Sequence, residues 1–385
     1  KWSNDFVILN KQLMSFGMKI AFDSQIFTMQ EYGGVSRYVA SLAAQLADID
    51  GVDSKIFAPF YINAYLEKLP KGIVSGIRVP RISKTGRAFH HSSLWLARGA
   101  IARFGPQVVH ETYYTSKPTA PKGARTVVTV YDMIHERFPS MFAQDDRTSR
   151  LKKESVLRAD HVICISENTR RDLLDVVAVS PEKVSVVYLG FDKLVCLDKE
   201  VKSKYVSKGL PFLFFVGGRG HYKNFNGLLQ AYASSNWLKQ NFRIVCVGGG
   251  KLQVDELEMM NELGVSSQQV EQINADDCLL AALYRNAAAF IYPSRYEGFG
   301  IPPLEAMSLR CPVICSNTSS IPEVVGDAGE YFDPDSIDSI RVAIERVLQA
   351  KELREFLVQK GIERCSFFSW ERGASETLAI YRSIV

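Results

Sequence analysis

Residues 211–217, PFLFFVG, form an uncharged apolar run that ends in glycine. A run of this kind predicts a β-strand that is buried on both faces. The polar residues 218–224, GRGHYKN, follow it and predict the turn that leads into a helix. Comparable apolar runs come at 243–248, 289–292 and 312–315, each leading into a helical pattern. Strands that alternate with helices in this way predict a parallel sheet covered by helices.

The first half of the chain repeats this pattern. Glycines 33 and 34 open a helical stretch, and Ser166 is placed to cap a later helix. Because single hydrophobic cores stop growing at roughly 250–300 residues, a chain of 385 residues should form two domains. We therefore predict an α/β protein with two doubly wound Rossmann-like domains that face each other across a cleft. The apolar runs of the first half are 18–23, 107–110, 126–130, 161–165 and 184–187.

The boundaries follow from changes in composition. Residues 1–17 fit no element and are interpreted as an upstream extension or a cloning remnant. The first Rossmann-like domain should span 18–197, a polar Lys-rich linker 198–209, and the second domain 210–365. The aromatic-rich residues 366–385 predict a terminal helix.

Composition excludes several classes of protein. Hydrophobic residues make up 46% and charged residues 23%, as in ordinary soluble proteins, and no apolar run approaches the ~20 residues of a membrane helix. The net charge of +4 argues against nucleic-acid binding. Seven scattered cysteines predict reduced core residues and a cytoplasmic protein. Cys311 and Cys315 have no second Cys or His pair nearby, which disfavours a zinc site.

Charge is distributed unevenly along the chain. Residues 1–200 carry +6 (27 Lys and Arg against 21 Asp and Glu), and the remainder carries −2 (19 against 21). Arg78, Arg81, Lys84 and Arg87 precede the apolar triplet 94–96, LWL. This stretch fits either peripheral contact with anionic lipid at the inner membrane face or a solvated basic face beside a core helix.

Two glutamates, Glu297 and Glu305, lie eight positions apart in residues 293–306, PSRYEGFGIPPLEA. Glu297 falls in a glycine-containing turn after a predicted strand. Pro302 and Pro303 predict a helix start, with Glu305 in its first turn. Backbone amides at such a turn favour an anion such as diphosphate, and the carboxylates suit sugar hydroxyls.

Arg219 and Lys223 lie four positions apart across the turn that follows residues 211–217. Both side chains could reach one anion, and a fixed pair of cations is what a departing diphosphate needs. Two solvated surface cations remain the alternative. The dinucleotide fingerprint fails because Lys223 occupies the place of its third glycine, and the triplet 248–250 fails as well.

The first half offers further candidates. Gly33 and Gly34 would let the donor phosphate or an acceptor approach the backbone. Asp132 and His135 follow the strand 126–130, and the ends of such strands bind ligands in open α/β sheets. They are candidates for acceptor contact or proton handling. The preceding strand ends in His110 and Glu111, which are candidates for acceptor contact, although a structural role for His110 stays open.

With these residues in view, the chain resembles the family 4 retaining glycosyltransferases. The resemblance rests on residues 293–307, on Arg219 and Lys223, and on the segments 312–314, 321–324 and 326–328. It runs from about Met18 to the end and is stronger in the second half. Residues 22–38 are similar to bacterial mannosyltransferases of surface-polysaccharide (O-antigen) assembly.

The resemblance implies a GT-B fold in which the first domain holds the acceptor, the second holds a nucleotide sugar, and the last helix crosses back onto the first domain. It implies that Glu305 binds the ribose and Glu297 the sugar hydroxyls. It also implies that the amides of Phe299, Gly300 and Ile301 contact sugar or phosphate.

The resemblance further implies that Arg219 and Lys223 neutralise the leaving diphosphate without a metal or other cofactor. Many family members carry histidine where this chain has Tyr131, so either Tyr131 or His135 is expected to replace it. The candidate catalytic residues are therefore Glu297, Asp132, His135 and Tyr131.

The expected activity is transfer of a hexose, most plausibly mannose from GDP-mannose, onto a glycan acceptor that is lipid-linked. A UDP-sugar donor is an alternative, and so is a nucleotide-sugar epimerase with the same architecture. A glycoside hydrolase would need Glu297 and Glu305 ~5–5.5 Å apart across an open sugar site. A non-catalytic module that binds sugar nucleotides is the fourth possibility.

Overall fold

Parallel β-sheets form the centre of each of the two units into which the chain divides. The computed structural model describes residues 17–80, 86–195 and 209–385, with only the backbone of Arg87 and His221. One unit comprises the described residues up to Gly190 together with Ser369–Val385, and the other comprises Phe191–Phe368. The expected extension 1–17 lies outside the described residues except for Gly17, and the expected linker 198–209 does so except for Gly209.

The first unit alternates strands and helices along the chain. Its elements are β1 (Met18–Phe22), α1 (Gln25–Met29), α2 (Gly34–Ala47), β2 (Val52–Tyr61), β3 (Val74–Arg78), α3 (Gly86–Phe104), β4 (Val108–Glu111), β5 (Arg125–Val130), α4 (Ile134–Arg137), α5 (Thr148–Arg158), β6 (His161–Cys164), α6 (Glu167–Val176) and β7 (Val184–Val186). Short 3₁₀ turns lie at Tyr65–Lys68, Pro139–Met141 and Pro181–Lys183.

The seven described strands of this unit pair in the order β3-β2-β1-β4-β5-β6-β7, all parallel. The order reverses between β1 and β4, where Ile20 pairs with Ser54 on one side and with Val108 on the other. Ile20 and Phe22 are fully buried because helices cover both faces of the sheet.

The second unit follows the same scheme. Its elements are β8 (Phe212–Val216), α7 (Phe225–Ala233), α8 (Asn236–Asn241), β9 (Arg243–Val247), α9 (Val254–Glu262), β10 (Val270–Ile273), α10 (Asp277–Asn286), β11 (Ala289–Tyr292), α11 (Ile301–Ser308), β12 (Val313–Ser316), α12 (Ile321–Val325), β13 (Gly329–Phe332), α13 (Ile337–Gln349) and α14 (Lys351–Cys365). Short 3₁₀ turns lie at His221–Lys223 and Gly326–Ala328.

The six described strands of this unit pair in parallel in the order β10-β9-β8-β11-β12-β13, so the order reverses between β8 and β11. Apolar side chains from the strands and the covering helices form one continuous core. The rings of Phe215 on β8 and Phe225 on α7 pack with their centroids 5.0 Å apart. Ile244, Ile291 and Ile314 extend this core across the central strands.

The last helix, α15 (Trp370–Ile384), belongs to the first unit. The Trp370 ring lies 6.3 Å from the Tyr38 ring of α2, and the Tyr381 hydroxyl lies 2.5 Å from Nδ1 of His110 on β4. Gly190 approaches so closely that a Cβ there would lie 2.3 Å from the Trp370 nitrogen. The aromatic residues of the terminal segment therefore pack into the core of the first unit.

Every apolar run quoted from the sequence is a strand, which confirms the α/β architecture. The helix expected after Gly33 begins at Gly34, and the Ser166 hydroxyl accepts a hydrogen bond from the Thr169 amide, as an N-cap does. Strands β2, β3, β10 and β13 were not predicted.

The cysteine prediction needs a correction. Cys278 is disulfide-bonded, whereas the sequence predicted reduced cysteines throughout. The cysteines that are free and buried are Cys164, Cys246, Cys311, Cys315 and Cys365. Cys196 lies outside the described residues. Among the described helices, none combines the length and the apolar character needed to cross a bilayer.

Candidate active site

An ion pair joins two loops at the point where the strand order of the second unit reverses. Lys223 follows β8, Glu297 follows β11, and the Lys223 ammonium donates to both Glu297 carboxylate oxygens at 2.7 and 2.9 Å. The side chains are 21% and 10% exposed, so solvent reaches the pair only partly. Ligands bind doubly wound sheets at such reversal points, at the carboxyl ends of the strands.

The loop after β12 holds the turn that carries Glu297. The Ser319 hydroxyl accepts from the Glu297 amide at 2.9 Å. The Ser320 hydroxyl lies 2.8 Å from the carbonyl oxygens of both Glu297 and Phe299. Ser319 has a φ of 53°, a left-handed conformation that is uncommon for residues other than glycine. Backbone strain of this kind concentrates at functional sites.

The start of α11 presents backbone donors beside this turn. Gly300 caps the helix with a φ of 119°, and Ile301 is its first residue. Pro302 and Pro303 have no N–H, so two of the donors that a helix start usually leaves free are missing. The amides of Gly300 and Ile301 remain for an anion. The Phe299 ring instead packs against Phe368 with a centroid distance of 5.7 Å.

Glu305 lies one turn beyond Ile301 on the same helix face. It is the fifth residue of α11 and lies in the second turn, so the prediction that placed it in the first turn is wrong. The helix begins at Ile301 because Gly300 caps it, and the two prolines follow Ile301. Glu305 is 6% exposed, and its Oε2 accepts a hydrogen bond from the Tyr284 hydroxyl at 3.2 Å.

Buried tyrosines stand behind both carboxylates. Burial and then the Glu305 charge raise the pKa of Tyr284 well above 10. Burial and then the Glu297 charge do the same to the pKa of Tyr292. Both phenols therefore stay protonated and can donate to the carboxylates. Each phenol uses one lone pair of its carboxylate, and the other lone pairs can accept hydrogen bonds from a ligand.

Arg219 binds Glu256 and the backbone of the loop after β9. Its Nε and one Nη2 proton bind the Glu256 carboxylate at 2.7 and 3.1 Å. Its Nη1 donates to the carbonyls of Gly248 and Gly250 at 2.6 and 2.9 Å, and Nη2 donates to the Lys251 carbonyl at 2.9 Å.

All five guanidinium donors of Arg219 thus have acceptors within the protein. The expectation that Arg219 binds the donor diphosphate together with Lys223 stays a prediction, and these contacts show that the side chain also binds the loop after β9. Three consecutive glycines in this loop have positive φ values: 97° at Gly248, 71° at Gly249 and 71° at Gly250. The Arg219 guanidinium donates hydrogen bonds to all three of their carbonyls. We therefore assign Arg219 a positioning role for this glycine loop.

In the first unit, Asp132 follows β5 and remains partly accessible, with 31% of its side chain exposed. Its carboxylate accepts from the Ile134 amide at 3.0 Å. The ammonium of Lys152, which is almost fully buried, donates to the Asp132 carbonyl and to Glu136 Oε2, both at 2.8 Å. A buried cation therefore fixes the backbone of the loop that presents Asp132.

The two candidates for the missing family histidine have other contacts. Tyr131 is 6% exposed and donates its hydroxyl to the Thr112 carbonyl at 3.2 Å. The His135 ring stacks on Phe142 with centroids 3.8 Å apart, and its Nε2 lies 3.8 Å from Asp146. His135 is 21% exposed and lines a cavity, so the expected contact of Tyr131 or His135 with a substrate stays a prediction. Of these candidates, the Asp132 side chain is the most exposed, at 31%, followed by His135 at 21%.

His110 and Glu111 are fully buried. The His110 ring binds the hydroxyls of Tyr381 and Thr129 at 2.5 and 2.8 Å. Glu111 accepts two hydrogen bonds from Arg158 at 3.1 and 2.9 Å. The expected acceptor contacts of His110 and Glu111 are not supported, because both side chains are enclosed and paired. They connect β4 to α15 and to α5.

Gly33 and Gly34 form the exposed start of α2. Gly33 has a φ of 173°, which is extended backbone open to any residue, and its carbonyl accepts from the Arg37 amide at 3.0 Å. A Cβ on Gly34 would meet no atom within 4 Å. Gly34 is therefore open to a ligand, whereas a Cβ on Gly33 would lie 2.2 Å from Oε1 of Gln30.

Comparisons with known proteins agree with this arrangement. The sequence model described as Glycosyltransferase Family 4 matches residues 32–193, and the one described as Glycosyl transferases group 1 matches residues 198–364. The O-antigen chain mannosyltransferase B of Escherichia coli is 32% identical over 270 residues, which cover 67% of this chain and 70% of that protein.

The chain belongs to glycosyltransferase family 4. A second relative, the O-antigen chain mannosyltransferase RfbU of Salmonella typhimurium LT2, is 28% identical over 324 residues, or 82% of this chain and 87% of that protein. The sucrose-phosphate synthase of Thermosynechococcus elongatus superposes with a TM-score of 0.75 at 22% identity, covering 95% of this chain and 99% of that one. The fold is GT-B.

Several side chains that shape this family 4 glycosyltransferase were missed in the sequence. Lys152 gave no signal because it stands in a polar helical stretch that predicts solvent exposure. Glu256 looked like an ordinary acidic residue in the first turn of a helix. Asp23, which accepts hydrogen bonds from Gln25, Thr112 and Thr119, lies directly after β1, where its position alone could have drawn attention.

Within residues 17–80, 86–195 and 209–385, no group of three or more His, Cys, Asp or Glu side chains is arranged to hold a metal ion.

Proposed function

We propose that this glycosyltransferase moves mannose from GDP-mannose onto a lipid-linked glycan during O-antigen assembly. Two relatives that each match two thirds or more of their length with this chain carry the name O-antigen chain mannosyltransferase. The observation that carries the proposal is the Lys223–Glu297 pair at the strand-order reversal, beside the free amides of α11. A cation, two amides and two carboxylates suit a diphosphate joined to a sugar.

In the proposed mechanism, the Lys223 ammonium exchanges part of its contact with Glu297 for a contact with the donor diphosphate. The ammonium neutralises the diphosphate as negative charge develops on the leaving group. The Glu297 carboxylate, released from part of its ion pair, accepts a hydroxyl of the transferred sugar. The ion pair keeps both groups in place before the donor arrives, so little reorganisation is needed on binding.

The remaining groups act around this centre. The amides of Gly300 and Ile301 bind a diphosphate oxygen, and Glu305 accepts the ribose hydroxyls, with Tyr284 holding its carboxylate. Asp132 orients the acceptor hydroxyl. We propose that the reaction proceeds without a metal ion and with retention of configuration at the anomeric carbon. We place it at the inner face of the membrane, where the lipid of the acceptor resides.

Mannose transfer to a membrane-extracted acceptor tests this proposal. We expect Lys223→Ala and Glu305→Ala to lower transfer by at least about 100-fold, since each removes a charged contact to the donor. Lys351→Ala and Glu262→Ala are the matched controls, because Lys351 is 74% exposed and Glu262 is exposed on α9. Near-normal transfer in Lys223→Ala and Glu305→Ala would refute the proposed roles.

A thermal-shift panel identifies the donor. A ligand that binds the folded state raises the melting temperature by an amount set by its affinity. We expect GDP-mannose to give the largest shift among GDP-, UDP- and ADP-sugars. A larger shift with a UDP-sugar would overturn the GDP-mannose proposal. Consumption of the donor without any acceptor, yielding its epimer, would identify an epimerase instead.

Two measurements test the chemistry. Nuclear magnetic resonance of the product should show an α-linked mannose from the α-linked donor. Transfer should persist after exhaustive treatment with a chelator. A β-linked product, or activity that returns only on adding a divalent cation, would contradict the retaining and metal-independent reaction respectively.

A further inference from the structure

A cavity of about 400 Å³ lies in the first unit, and none of the residues assigned a role in the proposed reaction lines it. Gln25, which follows β1, and Thr115, which follows β4, line it together with Leu151 of α5. Strands β1 and β4 are neighbours at the reversal of strand order in this sheet. Doubly wound sheets bind ligands at that position. The cavity therefore lies at the position where open α/β sheets bind ligands.

The charge of the cavity is one-sided. Arg98, Lys117 and Arg147 line it together with His90 and His91, and none of the described lining residues is acidic. Arg98 donates to the Lys117 carbonyl at 3.1 Å, but its Nε is buried without a hydrogen-bond partner. Lys117 and Arg147 have no carboxylate partner among the described residues. Three permanent cations without counter-charges suit a multiply charged anion.

Apolar side chains form another part of the lining, referred to as the apolar wall. Leu94 and Trp95 of α3 and Leu151 of α5 form it, with the ring of Tyr114. Trp95 is 72% exposed, so the apolar wall continues onto the protein surface. A ligand that fits both sides combines an anionic group with an apolar chain. An inorganic anion alone would leave this wall without a partner.

We propose that this cavity binds the diphosphate through which the glycan acceptor is joined to its lipid. This inference rests on the proposed function and adds a recognition site for the acceptor's anionic linkage. Arg98 and Arg147 bind the diphosphate oxygens, and the first isoprenoid-like carbons lie against Leu94 and Trp95. Phospholipid headgroups offer the same phosphate chemistry and are separated from the acceptor by the test below.

Calorimetric titration with geranyl diphosphate tests the site in the full chain. The titration uses Lys223→Ala as background, so that diphosphate binding to the second unit is removed. We expect Arg98→Gln and Arg147→Gln each to weaken binding by about tenfold or more, as loss of a charge-assisted bond does. Arg103→Gln is the matched control, because Arg103 is exposed on α3 and does not line the cavity. Geraniol should not bind.

Unchanged affinity in Arg147→Gln would overturn the proposal, and this exposed residue can be replaced without disturbing the core. Equal binding of geraniol would overturn it as well. Binding to phosphatidylglycerol vesicles but not to geranyl diphosphate would identify a headgroup site and refute an acceptor site. If geranyl diphosphate fails to bind while GDP-mannose binds the unsubstituted chain, only this inference fails. If donor binding fails while geranyl diphosphate binds, the proposed donor is wrong.

Discussion

Two buried side chains of this protein, Arg219 and His110, avoid the free-energy cost of a buried unpaired charge in different ways. Arg219 meets a carboxylate and a set of carbonyls, whereas the His110 ring is enclosed between two hydroxyls. A guanidinium keeps its charge and needs acceptors, but an imidazole can give up its proton. We therefore expect the free energy of unfolding to respond differently to pH and to substitution at these two residues.

Burial lowers the pKa of His110 to about 3. Between pH 6.5 and 3, the unfolded chain binds a proton that the folded chain does not, so the free energy of unfolding falls on acidification. The slope is up to about 1.4 kcal/mol per pH unit. Above pH 6.5 both states are neutral, and this contribution to stability is fully present.

His110→Gln should remove that slope, which amounts to about 2 kcal/mol between pH 6.5 and 5. Urea unfolding at a series of pH values measures it. Identical pH profiles for His110→Gln and the unsubstituted chain would contradict the assignment of a neutral buried imidazole.

Arg219→Ala should lower the free energy of unfolding of the second unit by about 3 kcal/mol or more, because it leaves the Glu256 carboxylate without its partner. Arg295→Ala is the control: its ion pair with Asp335 is exposed, and such pairs contribute about 1 kcal/mol or less. Chemical unfolding compares the two. Equal losses would show that Arg219 does not organise the loop.

At the scale of elements, the start of α11 determines which groups face the donor. Gly300 permits a φ of 119°, and the two prolines fix where the helix begins. The sequence predicted this helix but placed Glu305 one turn too early, since proline marks a helix start only to within a few residues. Boundaries depend on the cap residue, and Gly300 is the cap here.

Gly300→Ala should destabilise the second unit by about 1–3 kcal/mol and weaken donor binding, because alanine is strained at this φ. Its Cβ would lie 3.8 Å from the nearest atom, so the penalty comes from the backbone and not from a clash. Gly34→Ala at the start of α2 should be neutral or stabilising by up to about 1 kcal/mol. Thermal unfolding and donor titration measure both, and a harmless Gly300→Ala would refute the capping role.

At the scale of the whole molecule, each unit has its own sheet and its own reversal of strand order. GDP should therefore slow amide hydrogen exchange in the loops after β8 and β11 and leave the first unit unchanged. Geranyl diphosphate should protect α3 and the residues after β4 instead. Protection of the same segments by both ligands would contradict two separate sites.

The sequence predicted the architecture because continuous apolar strands are specific to covered parallel sheets. Edge strands such as β3 and β10 were not predicted, because half-exposed strands carry polar residues that interrupt the apolar run. In the site, Lys223 and Glu297 were predicted to serve the donor, and their pairing fits that role. The partners of Arg219 and the burial of His110 could not be predicted, because they depend on contacts between residues distant in sequence.

The position of α15 affects the order in which the two units can finish folding. Residues 369–385 complete the first unit, yet the ribosome makes them after all of Phe191–Phe368. Domains fold as units during translation, usually in the order in which they emerge. Here the whole second unit is synthesised before Tyr381, whose hydroxyl contacts the His110 ring. A nascent chain therefore carries an incomplete first unit until residues 369–385 are translated, and chaperones that cover apolar surface would act on that unit after the second one.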